Sequence, residues 1–279
     1  MGADMQSSAA VAYKTSDPAP AVTPEPLLSV RDVVMRFGGI VALDQVSFGL
    51  QKGHILGLIG PNGAGKTTLF NCLTRLYTPN SGSIEFEGHN ILAQSASKIT
   101  GIGIARTFQN LALFRTMSVL DNVRVGGHAR SHSDFLSDSL RLPWVRREED
   151  TLTQTVWELL DYLDLRDVAH RCVADLPFGT QKRVELARAL AAKPKLLLLD
   201  EPAGGLNHRE VGDLGTLIRR IRDERQITVL LVEHHMNLVM SISDRVVALD
   251  FGRKIAEGAP AEVRKDAEVI RAYLGTGAA

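Results

Sequence analysis

The sequence predicts an α/β fold: a core of strands and helices, opened by a small antiparallel β subdomain and split by an α-helical insertion. Three observations predict it. Short β-like runs punctuated by glycines fill residues 27–50. An apolar strand at 54–59 runs through a glycine-rich turn into a helix. A helical stretch then separates this unit from a second run of alternating strands and helices that begins at residue 195.

Composition agrees with a globular chain. Of 279 residues, 44% are hydrophobic, 5% aromatic and 23% charged, enough apolar mass for a sizeable core. The 32 Lys and Arg are matched by 32 Asp and Glu, so the basic footprint of a nucleic-acid-binding domain is missing and no nucleic-acid partner is expected. The longest apolar runs, 55–59 and 196–199, fall far short of the roughly 20 residues of a membrane-spanning helix. The N-terminus lacks a secretory signal pattern, and Gln6 stands where a myristoylation motif has Ser or Thr, so a cytosolic chain is expected. Cys72 and Cys172 have no second ligand at metal spacing and read as reduced core thiols.

The elements follow in order. Residues 1–26, rich in Ala and Ser and ending in Pro18, Pro20, Pro24 and Pro26, lack apolar periodicity and read as a disordered tail. In 27–50, Val30, Val33, Val34, Val41, Val46 and Phe48 are broken by Gly38 and Gly39 and closed by Gly53, which predicts a small antiparallel sheet. The strand at 54–59 leads into a helix over 65–76. Residues 130–150, Ser-rich and charged, read as a surface connection. Leu152, Val156, Leu159, Leu160 and Leu163 then mark one face of an amphipathic helix, and a second helix spans 181–192. A strand at 195–199, a helix at 209–223 and strands at 227–232 and 245–249 complete the core.

Two stretches carry chemistry. Gly60, Pro61, Asn62, Gly63, Ala64, Gly65, Lys66, Thr67 and Thr68 fit G-x-x-x-x-G-K-[ST] between a predicted strand and a predicted helix. Small residues there let backbone N–H groups close around phosphate oxygens at a helix N-terminus. Lys66 supplies a positive charge to the phosphates and Thr67 a hydroxyl for Mg²⁺. In the second stretch, four leucines end in Asp200 and Glu201, where a metal-holding carboxylate and a water-activating base can stand together.

With these motifs in this order, the sequence resembles the ATP-binding subunits of ABC transporters over 27–274. Arg106-Thr107-Phe108-Gln109 resembles the Q-loop and Leu176 to Gln181 occupies the signature position. Asp200 and Glu201 are the Walker B pair, Pro202 to Asn207 the D-loop, and Val232-Glu233-His234 the H-loop. The resemblance implies a P-loop NTPase of ABC type, with a RecA-like core and β subdomain in 27–110 and 195–279 and a helical subdomain in about 111–194. It implies ATP and Mg²⁺ as cofactors, with Phe37 stacking on adenine and residues 60–68 holding phosphate. Phe178, Gly179, Thr180 and Gln181 would face the nucleotide of a second subunit, with the helix beginning near Gln181. Asp200, Thr67 and Gln109 would serve the metal, Glu201 would activate water, His234 would touch the γ-phosphate, and Gln109 would link the site to the helical insertion. Duller readings stand beside these: Phe37 as a core aromatic at a strand end, Gln109 as a surface amide, His234 as a capping or packed histidine. Adjacent His234 and His235 do not face each other on a helix, so a zinc site is rejected.

Two departures from the family pattern matter. Pro177, Phe178 and Thr180 replace the usual signature Ser, Gly and Gln, and Asn207 stands where the D-loop has Asp. Weaker hydrolysis and altered communication between sites are the expected consequences. The aromatic in the signature, the Gly-Leu-Asn D-loop and the chain's ending are similar to importers of branched-chain amino acids. The stretch 130–147 is like the longer of their two ATPase subunits, and Pro177 like the shorter. The resemblance implies multi-span permeases as partners, a second ABC ATPase subunit or a homodimer, and, indirectly, a periplasmic or extracellular substrate-binding protein. A groove between the Q-loop and residues 114–123 would receive the permease. The expected location is peripheral, on the cytoplasmic face of the inner (plasma) membrane. Competing readings are the ATPase of a lipid or lipopolysaccharide exporter, a soluble non-transport ABC ATPase, and a mainly ATP-binding regulatory subunit.

Overall fold

The computed structural model describes residues 25–109, 111–128 and 143–274; the predicted tail to residue 24 and residues 130–142 of the connection predicted over 130–150 lie outside them. From the N-terminal side, β1 (Leu28–Phe37) and β2 (Ile40–Leu50) precede β3 (Ile55–Ile59), which feeds α1 (Lys66–Leu73). Next come β4 (Ser81–Phe86), β5 (His89–Asn90), α2 (Ala96–Ile99) and β6 (Ile104–Arg106). Helices α3 (Val119–His128), α4 (Pro143–Tyr162) and α5 (Phe178–Ala191) follow. The chain then runs through β7 (Leu196–Asp200), α6 (His208–Arg225), β8 (Thr228–Val232), α7 (Met236–Ile242), β9 (Arg245–Asp250), β10 (Arg253–Gly258), α8 (Pro260–Val263) and α9 (Ala267–Leu274).

Two sheets result. The antiparallel one has the order β2-β1-β4-β5, and the larger one β10-β9-β3-β8-β7-β6. In the larger sheet all pairs are parallel except β9 with β10. Side chains of its central strands alternate between two cores, as a period of two requires. Ile55, Ile59, Leu197, Leu199, Val229 and Leu231 share one core with Val119, Val123, Val156, Leu159, Leu160 and Val184 from the helices. Leu56, Leu58, Leu196, Leu198, Leu230 and Val232 share the other with the small sheet and with Leu69 and Phe70 of α1. Strands buried on both faces tolerate unbroken apolar sequence, which is why β7 can read Leu-Leu-Leu-Leu-Asp. Because β3, β8 and β7 are parallel, the loops that follow them all leave from one edge, where α/β proteins build their sites.

Some boundaries differ from expectation. Helix α1 stops at Leu73 rather than 76. Helix α4 begins at Pro143, inside the expected surface connection, because proline's fixed φ and missing N–H suit a first helical turn. Helix α5 starts three positions early, at Phe178, behind Pro177 at its N-cap. Of the two cysteines only Cys72 is a core thiol, its pKa pushed up to about 11 by burial. Cys172 is half-buried and its thiol donates to the Arg115 carbonyl at 2.9 Å. Pro26, at the end of the expected tail, already packs on Gly49.

Candidate functional site

The loop between β3 and α1 is shaped by close backbone contacts. Gly60 has φ 151°, and a Cβ there would sit 2.2 Å from the Leu249 carbonyl oxygen. Gly65, the N-cap of α1, has φ 98°, and a Cβ would sit 2.6 Å from the Ala42 carbonyl oxygen. Only glycine fits both places. Lys66, 6% exposed, folds back over the loop and donates to the carbonyls of Gly60 at 2.6 Å and Pro61 at 2.9 Å. Burial lowers its pKa, and the nearby carboxylates of Glu201 and Asp200 oppose that shift. A buried ammonium satisfied only by carbonyls, beside α1's N-terminal amides, suits a phosphate group. The Gly60 N–H donates to the Tyr273 hydroxyl at 2.8 Å, so the last helix braces the loop's first residue; sequence reading gave Tyr273 no role.

At the end of β7, Asp200 is 3% exposed and pairs with Arg106 at 2.6 Å. The chain then turns sharply: Glu201 has φ 48°, a left-handed conformation rare for its residue type, and its N–H donates to the Val232 carbonyl at 2.9 Å. The turn brings its carboxylate between two predicted partners. Gln109 Nε2 donates to Oε2 at 2.7 Å, and His234 Nε2 lies 2.5 Å from Oε1. The structure therefore brings Glu201, Gln109 and His234 together from three separate loops. Glu185 of α5 accepts from the Phe108 N–H at 3.0 Å, and Arg188 donates to the Ala112 carbonyl, so this helix grips the Q-loop on both sides of Gln109. Burial raises the Glu185 pKa, while that Phe108 N–H works to lower it. Glu233, 1% exposed, accepts from the N–H groups of Ala203 at 2.6 Å, His234 at 3.0 Å and His235 at 3.3 Å.

The signature residues lie against the D-loop of their own chain. Phe178 packs where a Cβ on Gly205 would lie 2.8 Å from its ring, and a Cβ on Gly179 would meet Glu210 Oε1 at 2.9 Å. The expectation of a helix starting near Gln181 is corrected here. The N–H groups of Thr180 and Gln181 both donate to the Pro177 carbonyl, so the amides ahead of the helical ladder are those of Phe178 and Gly179. Asn207, where the family has Asp, caps α6: its side chain accepts from Arg209 and Glu210 N–H at 3.0 Å each, and Glu210 Oε2 accepts from Asn207 N–H at 2.9 Å. Asn207→Ala is expected to cost about 1 kcal/mol of stability in thermal unfolding, whereas Asn207→Asp keeps the cap and most of that stability.

Phe37, 42% exposed, stands at the tip of the β1–β2 hairpin with Tyr77 edge-on at 5.2 Å. It is not the core aromatic of the duller reading. Thr67 is exposed at the loop mouth, as are Asn62 and Gly63, while Ala64 is buried beneath them.

Comparison with known proteins places this geometry. Residues 43–204 match the family described as ABC transporter, and residues 253–279 match the one described as branched-chain amino acid ATP-binding cassette transporter. The high-affinity branched-chain amino acid transport ATP-binding protein BraF of Pseudomonas aeruginosa is 42% identical over 250 residues, 90% of this chain and 98% of its own. Its LivG counterpart in Escherichia coli K12 is 41% identical over 251 residues, again 90% and 98%. Among solved structures, the ADP conformation of MJ1267, an ATP-binding cassette of an ABC transporter, superposes with a TM-score of 0.78 at 30% identity, covering 89% of this chain and 98% of that one. The chain belongs to the ABC transporter family, as one of its ATP-binding cassettes.

Proposed function

We propose that this protein is the ATP-hydrolysing subunit of an importer of branched-chain or related amino acids, acting from the cytoplasmic face of the membrane on separate multi-span permeases. The observation that carries the reading is the end-to-end match at 42% identity to a branched-chain amino acid transport ATPase, 98% of whose length is covered. No described helix is long and apolar enough to cross a membrane; in this reading other chains supply the conduit. Phe114, 49% exposed, offers a contact for such a chain; its backbone is fixed by Asn122, which accepts from its N–H at 2.9 Å and donates to its carbonyl at 3.0 Å.

In this reading Phe37 stacks on adenine, and Lys66 leaves the Gly60 and Pro61 carbonyls for the β and γ phosphates. Residues 60–68 wrap those phosphates with backbone amides. Glu201 takes a proton from the attacking water, and its position between Gln109 and His234 fixes where that water sits. His234 faces the γ-phosphate. The Phe178 and Gly179 amides serve the nucleotide of a second cassette, another subunit or a second copy. The Thr67 hydroxyl, the Asp200 carboxylate and the Gln109 amide oxygen are all hard donors and fit Mg²⁺. Among the described residues no three His, Cys, Asp or Glu side chains form a metal cage, so these residues would share the ion with the phosphates, where it offsets their charge.

Tagged protein purified from gently solubilised membranes tests the proposal. Two multi-span permeases and a second ATPase are expected in stoichiometric amounts by mass spectrometry. Recovery alone from the soluble fraction, or with ribosomes, would overturn the transport role and leave the ATPase chemistry standing.

A further inference from the structure

We propose that Arg106 is a positioning residue of the metal site: it holds Asp200 by one carboxylate oxygen and cancels its charge, so that the divalent cation enters with the nucleotide and not ahead of it. The inference rests on the reading of Asp200 as the metal-facing carboxylate.

Arg106 is built into place. Its side chain is 7% exposed and that of Asp200 4%. One terminal nitrogen donates to Asp200 Oδ2 at 2.6 Å; the other donates to Asn71 Oδ1 at 2.7 Å and Thr74 Oγ1 at 3.3 Å, both on or next to α1. The guanidinium carbon lies 5.4 Å from the Phe70 ring centroid and 5.1 Å from that of Phe108. Tethers to β7, to α1 and to two aromatic rings leave the group little freedom to swing away.

The charge balance then decides what the site attracts. The Arg106 guanidinium brings one positive charge against the one negative charge of Asp200. Hard divalent cations are drawn by carboxylate charge and give up hydration water reluctantly. An isolated buried Asp200 would be an anionic anchor for such an ion; Asp200 paired with Arg106 offers oxygen without net charge. The missing negative charge is what a triphosphate brings. Arg106 contacts Asp200 through Oδ2, which fixes the carboxylate's orientation. A purely structural tie between β6, β7 and α1 would not require a positive charge against the metal-facing carboxylate.

Mn²⁺ binding to the full-length chain, followed by electron paramagnetic resonance, separates these roles. Without nucleotide, wild type is expected to leave Mn²⁺ free, and with ATP to bind it stoichiometrically. Arg106→Gln is expected to bind Mn²⁺ without nucleotide at least about tenfold more tightly than wild type, the effect of removing one charge at close range. Arg106→Lys, which keeps the charge, should behave as wild type, and adding Asp200→Asn to Arg106→Gln should abolish the gain. An Arg106→Gln protein that is folded, binds a fluorescent ATP analogue in EDTA and shows no tighter Mn²⁺ binding overturns the proposal. Should Arg106→Gln not fold, wild type decides: stoichiometric Mn²⁺ binding without nucleotide that Asp200→Asn removes overturns it, and nucleotide-dependent binding supports it. Failure of wild type to bind the ATP analogue in EDTA would instead count against the reading of the site itself.

Discussion

Glu201→Gln is expected to bind ATP normally and hydrolyse it about 10²-fold or more slowly, the usual scale for a lost general base. The backbone that presents residue 201 does not depend on the carboxylate: the positive φ of 48° is secured by the N–H bond to Val232. An amide of the same size therefore enters the same place, at 16% side-chain exposure between Gln109 and His234. What disappears is the group proposed to accept the water's proton. In the proposed mechanism binding rests on Lys66 and the loop amides, which the substitution does not touch, so the loss is expected to fall on kcat. Phosphate release at saturating ATP, with nucleotide occupancy measured in parallel, reads both terms. Turnover near the wild-type rate would take the role of base away from Glu201.

Gly60→Ala is expected to destabilise the fold by about 3 kcal/mol, combining roughly 1–3 kcal/mol of overpacking with a similar cost of backbone strain. The new Cβ would lie 2.2 Å from the Leu249 carbonyl oxygen and 3.2 Å from its carbon, atoms of β9 that cannot retreat without distorting the main sheet. Displacing residue 60 also breaks its N–H bond to Tyr273 and the Lys66 bond to its carbonyl. ATP affinity should fall with stability, because a displaced residue 60 no longer sets the loop amides around the phosphates. Gly63→Ala is the contrast: φ is +84° there, but no atom lies within 4 Å of the added Cβ, so only backbone strain of about 1 kcal/mol remains. Calorimetric melting of the two variants, with ATP titrations, checks the ranking. Equal melting temperatures would refute the steric argument.

What the sequence made legible was what lies close together along the chain. The glycines and Lys66 announce their loop because six residues suffice to build it, and β7 announces itself because a strand buried on both faces must be apolar throughout. Sequence pattern failed where partners are distant. Nothing near Arg106 points to Asp200, and nothing near Gly60 points to Tyr273; the parallel sheet and the packing of α9 create those contacts. Glu185 reads as one more surface charge on a helix, yet it is 3% exposed because α5 carries it under the Q-loop. The helix expected to begin near Gln181 begins three residues earlier because Pro177 at its N-cap opens it, which places the amides ahead of the ladder at Phe178 and Gly179. The β4 and β6 strands passed unnoticed because each shows only a few apolar residues, β4 on one face and β6 over three positions.

Glu233 has a further consequence for how two loops are held together. The stretch after β7 and the start of the stretch after β8 both hang from its single carboxylate, through Ala203 on one side and His234 and His235 on the other. Because the carboxylate is only 1% exposed, each of these bonds is made in a low-dielectric setting and leaving any one amide unpaired is costly. The two stretches are thus bolted by one pin. His234 and Ala203, three residues ahead of Leu206 in the D-loop, are thereby joined through one side chain.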